Sequence, residues 1–361
     1  MKQKKLVSII IPTHNRQELL KRSISYFKSK DFNFCSIIII DSSAKPLNLK
    51  LEKNFKYIHY KKNKFASKIS YALSKVVTKY CVLVNDDDFI SLNGLTKGIN
   101  FLELNKDYVS YHGEYISFRY LDKINQVIYL AAYDDTLKND LDFSFDDKIK
   151  RIKKLYLNRP HWYNALHYTK YLKKSFQIAS LGKDIHFSEI LIPFIVGLAG
   201  KLKVVKVFWY AKDANVYTDI KIRQETARIK MAKELFVKNS IIKKKLIEMI
   251  KTYKIKGSSQ QYSSIIESIF KPYFKKYLFE NKKNIQQSKM INTIRKYLPI
   301  FLKNLIRITI NYISNRNVED MNNNLGKYGP SRNNSSLQDW TYMKKIIKNF
   351  INFKDKYKNI T

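Results

Sequence analysis

Short apolar runs alternate with stretches of helical periodicity over the first 90 residues of the chain. Four apolar runs, most of them rich in β-branched residues, predict buried strands at residues 6–11, 37–40, 57–60 and 81–84. Between them, apolar residues recur at helical spacing over residues 18–27 and 66–75. Repeated β-α-β units of this length predict an α/β fold with right-handed crossovers and a mainly parallel sheet flanked by helices.

Polar residues follow three of these runs at the point where each predicted strand ends. Thr13 follows the first run, Asp41 follows the second, and three consecutive aspartates at 86–88 follow the fourth. The carboxyl ends of parallel strands meet at one edge of a sheet, where open α/β folds bind their ligands. We therefore expect these side chains to converge on one crevice.

The pattern changes along the rest of the chain. Further strands are predicted at residues 108–111, 127–130 and 204–210, and further helices at 149–157 and 187–198. From residue 215 the strand patterns fade, and basic helices are predicted at 222–251, 262–279, 291–313 and 338–353. This shift predicts an α/β domain over residues 1–214 and a helical, lysine-rich region over residues 215–361.

Basic residues strongly outnumber acidic ones, with 68 Lys and Arg against 30 Asp and Glu and a net charge of +38. Hydrophobic residues make up 45% of the chain, which excludes a disordered basic protein. AT-rich codon usage, which abundant Lys, Asn and Ile indicate, is one explanation of the lysine excess. The other explanation is an anionic partner, either membrane phospholipid or nucleic acid, because residues 215–361 hold 31 basic and only 10 acidic residues.

The cysteines and the longest apolar stretches indicate the compartment. Cys35 and Cys81 each lie inside an apolar run, as buried thiols do, so no disulfide framework is expected. The apolar stretches at 6–11 and 190–199 fall well short of the roughly 20 residues of a membrane-spanning helix. The sequence predicts a cytoplasmic protein without a transmembrane segment.

The acidic triplet at 86–88 is the most informative polar feature. Three adjacent carboxylates repel one another, and a cation that neutralises them relieves this cost. Mg²⁺ and Mn²⁺ prefer oxygen ligands and often take only one or two from the protein, with substrate phosphates supplying others. The alternative is an acidic loop that caps the following helix.

Three segments occur in a fixed order: residues 7–16 (Val-Ser-Ile-Ile-Ile-Pro-Thr-His-Asn-Arg), 38–43 (Ile-Ile-Ile-Asp-Ser-Ser) and 83–89 (Leu-Val-Asn-Asp-Asp-Asp-Phe). Together they resemble GT-A-fold glycosyltransferases of the family 2 type. Residues 187–191, followed by Gly200, are similar to the helix that bears the catalytic base in that family. The resemblance implies a Rossmann-like GT-A domain that transfers a sugar from a nucleotide-sugar donor such as a UDP- or GDP-sugar, in bacterial surface-polysaccharide (capsule or lipopolysaccharide) assembly.

The resemblance also implies roles for individual residues of the N-terminal segments. It implies that Pro12, Thr13, Arg16 and Asp41 hold the base and ribose of the nucleotide. Lys68 stands where the family often has an arginine near the pyrophosphate.

The acidic motif would bind the divalent metal, Mn²⁺ or Mg²⁺, that bridges the diphosphate, but its alignment is ambiguous by one residue. Asp86 and Asp88 are the spaced pair if the triplet is taken directly, and Asp88 is then the main ligand. If Asn85 aligns with the first family carboxylate, the metal ligand is Asp87.

Sugar transfer also needs a base that takes the proton of the acceptor hydroxyl. Glu189, at the start of an apolar helix, is the first candidate and Asp184 the second; the alternative is that Glu189 only complements a helix N-terminus. A base without a protein nucleophile implies an inverting reaction. Residues 161–163 and His167 are candidates for an acceptor site, with core packing as the alternative for Trp162.

The C-terminal region contains two basic amphipathic patterns, around residues 298–307 and 340–351. Such helices lie on anionic membranes or pack on their own domain. A lipid-linked glycan acceptor at the inner leaflet would agree with the first alternative. Two other classes compete with the transferase: a nucleic-acid-binding protein, for which no motif is recognised, and a non-catalytic membrane-associated scaffold.

Overall fold

The computed structural model describes eleven stretches of the chain. They are residues 5–29, 31–48, 50–62, 64–121, 126–132, 143–158, 162–182, 187–214, 231–237, 239–275 and 338–347. Asp184, His161, His186 and the amphipathic pattern at 298–307 lie outside these residues.

Within the described residues, nine strands form one sheet with helices packed on it. The strands are β1 (Val7–Thr13), β2 (Cys35–Asp41), β3 (Phe55–His59), β4 (Tyr80–Leu83), β5 (Phe89–Ile90), β6 (Tyr108–Leu121), β7 (Gln126–Ala132), β8 (Leu166–Tyr168) and β9 (Lys201–Asp213). The helices are α1 (Gln17–Ser29), α2 (Phe65–Ser74), α3 (Leu92–Leu104), α4 (Lys148–Asn158), α5 (Thr169–Ala179), α6 (Phe187–Ala199) and α7 (Ile241–Thr252). Residues 231–236, 259–275 and 338–347 are also helical.

The strand order is β3-β2-β1-β4-β8-β6-β9-β5, with β7 paired to β6. Strands β3, β2, β1 and β4 are parallel, as the apolar runs predicted. The isoleucines of β1 and β2 are buried because helices cover both faces of this half of the sheet. Thr13 and Asp41 are register partners, so β1 and β2 end side by side.

The other half of the sheet departs from the predicted mainly parallel arrangement. Strand β8 runs antiparallel to both β4 and β6, and β5 runs antiparallel to β9. Strand β6 is parallel to β9 and antiparallel to β7. The whole sheet is therefore mixed. The short strands β5 and β8 pair antiparallel, and antiparallel neighbours need no crossover helix between them.

Two hydrophobic clusters lie on the two faces of the sheet. One contains α2, α5 and α6 and extends into α7 and residues 259–275, for example through Tyr156 and Phe270, whose ring centroids are 5.0 Å apart. The other contains α1 and α3 together with residues 338–347. Parts of the lysine-rich region thus share cores with the N-terminal α/β elements, while the predicted boundary near residue 215 stays a prediction.

The helix at 338–347 corrects the membrane interpretation of its amphipathic pattern. Trp340 is 2% exposed and packs against Phe118 and Phe208, and Met343 and Ile347 are fully buried. These side chains are part of the fold, so they are not available for insertion into a bilayer.

No helix among the described residues is long and apolar enough to cross a membrane. Both cysteines are free and buried, as their apolar surroundings predicted.

Candidate active site

The predicted strand-end residues do converge. Thr13 ends β1, Asp41 ends β2, and the acidic triplet follows β4, the other neighbour of β1. The hydroxyl of Thr13 donates a hydrogen bond of 2.7 Å to a carboxylate oxygen of Asp86. The first and fourth predicted strands are thereby joined at the crevice edge.

Arg16 binds two members of the triplet at once. Its two terminal nitrogens lie 2.7 Å from Asp86 Oδ1 and 2.6 Å from Asp87 Oδ2. The turn that places Arg16 here includes Asn15 in the left-handed region, with φ 53°. Burial raises the pKa of Asp86 to about 6, although Arg16 opposes this shift.

The three carboxylates face different surroundings. The Asp86 side chain is 1% exposed and that of Asp87 is 11% exposed. Asp88 is buried and accepts hydrogen bonds from Asn85 Nδ2 (2.8 Å), Tyr210 Oη (2.9 Å) and the Asp213 amide (3.0 Å). Burial, and then the charge of Asp87, raise the pKa of Asp88. Asp88 thus ties the acidic loop to β9, and Asp87 has the most accessible carboxylate.

A buried arginine supports the loop from behind. Arg22 donates to the carbonyl of Asp87 (2.6 Å) and pairs with Asp213 (3.1 Å). The amide of Asn164 donates to Leu83 O and to Tyr210 Oη, which fixes the end of β4. Sequence reasoning missed these positioning residues because nothing in a linear pattern shows that β9 lies beside the triplet.

Asp41 has both carboxylate oxygens in use. The amide and hydroxyl of Ser43 donate to Oδ1, and the hydroxyl of Tyr57 donates to Oδ2 at 2.6 Å. Burial, followed by this hydrogen bond, raises the pKa of Tyr57 to about 12. Asp41 is held rigidly at the end of β2.

Lys68 reaches the same crevice edge from α2. Its ammonium group is buried and donates to Thr13 O (2.8 Å) and Ser42 Oγ (2.9 Å). Burial lowers the pKa of Lys68 to about 8, against the opposing charges of Asp41 and Asp86. Pro12, the residue before Thr13, is buried in β1 opposite Ile40.

Glu189 lies in the first turn of α6 and is exposed. Burial is the main cause that raises the pKa of Tyr163, and the negative charges of Glu189 and Asp88 raise it further. The buried hydroxyl of Tyr163 therefore interacts electrostatically with both the acidic triplet and the first candidate base. Asp184, the second candidate, is outside the described residues.

The remaining candidate acceptor residues have different surroundings. Trp162 is buried and packs against His112 and Phe143. His167 is buried between Ser110 Oγ and Trp162 O, and burial lowers its pKa to about 4. These two residues belong to the core, which was the alternative for Trp162, whereas Tyr163 stacks on Phe65.

The donor set of the triplet fits a hard divalent cation. Among the described residues, no three His, Cys, Asp or Glu side chains form a complete metal cage. A hard cation requires no such cage, since one or two carboxylates with substrate oxygens suffice. Asp87, with its more accessible carboxylate, meets that requirement.

Comparisons with solved structures give alignments of low similarity. Crystal structures of S. aureus TarS 1–349, alone and in complex with UDP-GlcNAc, align with TM-scores of 0.44 and identities of 12% and 13%. These alignments cover 75% and 74% of this chain and 82% of TarS 1–349. The alignment to the longer S. aureus TarS chain has a TM-score of 0.39 at 13% identity and covers 69% of this chain but only 43% of that one.

Sequence comparison gives a family. No curated protein matches the chain. The model of glycosyl transferase family 2 matches residues 8–156, which include β1, β2, β4 and the acidic triplet. This stretch also contains Thr13, Arg16, Asp41 and Lys68, so the family match and the converging side chains fall on the same part of the chain. Residues 8–156 match the model of glycosyl transferase family 2, and the resemblance in the opening segments is confirmed.

Proposed function

We propose that the protein transfers a sugar from a nucleotide-diphosphate sugar to a hydroxyl group of a glycan or lipid-linked glycan, with a divalent metal and with inversion at the sugar carbon. The observation that carries this proposal is the convergence of Thr13, Asp41, Arg16 and the acidic triplet at one sheet edge within a family 2 domain. Open α/β sheets bind nucleotides at this edge.

The two ends of the crevice suit the two parts of a nucleotide diphosphate. Asp41, held by Ser43 and Tyr57, is a rigid acceptor for hydroxyl or amide groups of a nucleoside. Lys68 lies beside Thr13 and supplies a positive charge for a diphosphate. Pro12 and Thr13 would form the floor between these groups. The donor is thereby oriented before the reaction, which lowers the entropic part of the barrier.

Asp87 would hold Mn²⁺ or Mg²⁺ at the diphosphate. When bound, the cation neutralises charge that develops on the leaving diphosphate. The chain's own contribution is to fix the carboxylates of Asp86 and Asp87: Arg16 holds both side chains, and Arg22 holds the Asp87 carbonyl. The Asp88 carboxylate, in contact with β9, supports the loop in this arrangement.

Glu189 would accept the proton of the attacking hydroxyl. Its carboxylate is exposed, and its charge raises the pKa of Tyr163, as the charge of Asp88 also does. Both observations support a position on the same side of the sheet as the triplet. A single displacement with this base inverts the configuration at the sugar carbon. A nucleotide-sugar donor and a lipid-linked acceptor at the inner leaflet would place the reaction on the cytoplasmic side of a membrane.

Thermal unfolding with nucleotides tests the proposal directly. We expect one of UDP, GDP, CDP and TDP to stabilise the full chain in the presence of Mn²⁺, by about 2.7 kcal/mol at a hundredfold excess over Kd. An Asp41→Asn variant should show a weaker shift with the same nucleotide. If no diphosphate raises the melting temperature, with or without metal, the transferase proposal is wrong and RNA becomes the next ligand to titrate.

The base is tested by separating binding from transfer. We expect Glu189→Gln to keep the nucleotide-induced stabilisation of the parent and to lose sugar transfer, because the amide cannot take up a proton. Retained transfer in this variant would move the role to Asp184, to be tested as Asp184→Asn.

A further inference from the structure

The outer face of α4 combines exposed apolar side chains with lysines. Leu157 is 62% exposed, and Phe145 and Ile149 are partly exposed beside it. These three residues line a surface depression of about 410 Å³ together with Asp147 and three lysines, Lys150, Lys153 and Lys154. We call the three apolar residues and the three lysines the α4 face. Exposed apolar groups clustered on a surface mark a site of interaction.

The lysines of the α4 face are arranged around its apolar centre. The ammonium groups of Lys150 and Lys154 lie 4.7 and 4.9 Å from the centroid of the Phe145 ring. Both ammonium groups thus lie over the ring in cation–π contacts, and the lysine stems cover the apolar surface beside it. A partner that matches this face has an anionic layer around or above an apolar one.

Two acidic residues, Asp146 and Asp147, lie near the α4 face. Asp147 accepts hydrogen bonds from the amides of Ile149 and Lys150, which caps the first turn of α4. Asp146 pairs with Lys201 at 3.1 Å. Lys148 donates to the carbonyl of Tyr253 on the other side of the helix, the side that carries the buried Ile152 and Leu155. The residues that line the depression keep a formal charge of +2, three lysines against Asp147.

The inner face of α4 connects this surface to the candidate active site. Arg151 donates to Gly197 O and Tyr156 to Ile190 O, so α4 runs antiparallel to α6. The approach is close, since a Cβ at Gly197 would lie 2.8 Å from Ile152 Cγ1. Leu157, one residue beyond Tyr156, consequently lies at the end of α6 that carries Glu189. The Leu157 end of the α4 face is therefore the end nearer to Glu189 along the helix pair.

We propose that the α4 face docks on an anionic phospholipid membrane, with Leu157 and Phe145 in the interface and the three lysines at the headgroups. This inference rests on the proposed function in one respect: membrane docking would present a lipid-linked acceptor beside α6. It replaces the helix at 338–347, whose apolar side chains are buried, as the membrane-contacting element. Charge attraction and apolar burial act together in such contacts.

Vesicle binding by the full chain tests the proposal. We expect binding to vesicles of phosphatidylcholine with phosphatidylglycerol and much weaker binding to phosphatidylcholine alone. The triple variant K150Q/K153Q/K154Q should lose on the order of a hundredfold in affinity for the anionic vesicles. Leu157→Ser, which changes no charge, should lose roughly tenfold.

Matched controls exist elsewhere on the surface. Lys50, Lys53 and Lys56 are exposed between β2 and β3 and in β3, and K50Q/K53Q/K56Q removes the same charge as the triple variant. Leu104→Ser removes a leucine that is 83% exposed at the end of α3. Both controls should bind vesicles as the parent does, because charges beyond a Debye length are screened. Equal losses in the α4 variants and the controls would overturn the proposal.

Polyphosphate free in solution distinguishes a membrane from a plain polyanion. Leu157→Ser should leave the affinity for polyphosphate unchanged while it weakens vesicle binding. If Leu157→Ser leaves vesicle binding unchanged, the face recognises charge alone and the membrane proposal is wrong. Nucleotide-induced stabilisation of the α4 variants should equal that of the parent, so a failure of this proposal and a failure of the transferase proposal give different results.

Discussion

The guanidinium group of Arg16 binds two consecutive carboxylates, and this arrangement determines which aspartate is available to a ligand. Asp86 uses its oxygens for Arg16 and Thr13, and Asp88 is surrounded by protein donors. Asp87 shares only one oxygen with Arg16 in the hydrogen bonds described above. We therefore keep, for the proposed metal, the alignment in which Asn85 takes the first family position and Asp87 is the ligand.

Substitution of the two aspartates separates the alternatives. We expect Asp87→Asn to abolish the Mn²⁺-dependent part of nucleotide stabilisation and to leave the melting temperature of the free protein almost unchanged. Asp88→Asn should lower the melting temperature of the free protein, because an amide cannot accept from all three donors and leaves a buried one unpaired, at about 1–3 kcal/mol. The measurement is thermal unfolding with and without metal and nucleotide. A metal-dependent shift that survives in Asp87→Asn but not in a folded Asp88→Asn would support the direct alignment instead.

Lys68 gives the site a dependence on alkaline pH. Burial lowers its pKa to about 8, so the ammonium group loses its proton as the pH rises through that value. We expect the affinity for a nucleoside diphosphate to fall there by up to about tenfold per pH unit. Stability of the free protein should rise over the same range, since the folded state releases this proton before the unfolded state does.

The matched variant for this prediction is Lys68→Arg, whose guanidinium stays charged throughout. Its nucleotide affinity, measured by calorimetry across the same pH range, should not show the decline. An identical decline in both proteins would assign the titration to another group.

Among the strands and helices, the convergence of side chains at strand ends could be predicted only for strands that pair as the hydrophobic pattern implies. The buried runs predicted β1, β2 and β4 as strands of one mainly parallel sheet, and their pairing as neighbours brings Thr13, Asp41 and the triplet together. Strand β9 carries Tyr210 and Asp213, which hold the acidic loop from more than a hundred residues away. A pairing of that range depends on packing of the whole sheet, so no local periodicity could indicate it.

Helical periodicity predicted where a helix forms, but it did not indicate what the apolar face of that helix contacts. The stripe that begins at Trp340 has the same spacing whether it meets lipid or protein, and hydrophobicity alone does not distinguish these environments. Its partners, Phe118 and Phe208, lie on two distant strands. The reverse holds for α4: its amphipathic pattern predicted a helix, but only the structure shows which side chains its inner face buries.

Helix 338–347 should therefore contribute to the stability of the α/β elements. We expect Trp340→Ala to lower the free energy of unfolding by about 3–5 kcal/mol through the cavity left beside Phe118 and Phe208. The exposed Leu104→Ser serves as a control with little effect. Chemical denaturation of both variants checks this, and a Trp340→Ala protein as stable as its parent would show that this helix does not dock in solution.

At the scale of the whole molecule, the part of the chain that sequence predicted best is the part the family model covers. Residues 8–156 combine local strand signals with short crossovers, whereas the lysine-rich region has helical periodicity without turn motifs that would fix its packing. Composition indicated an anionic partner but could not say which lysines share a face. That information came from the packing of α4 against α6.

The contact between Ser91 and Asp339 has a consequence for biosynthesis. Asp339 accepts hydrogen bonds from the Ser91 hydroxyl and the Asn93 amide at the first turn of α3. Closing a contact between such distant residues requires a large loop to be ordered, which slows folding. During translation, α3 must leave the ribosome long before the residue that caps it. The nascent chain therefore carries an α/β layer without this cap for most of its synthesis, and the layer is completed only when residues 338–347 emerge.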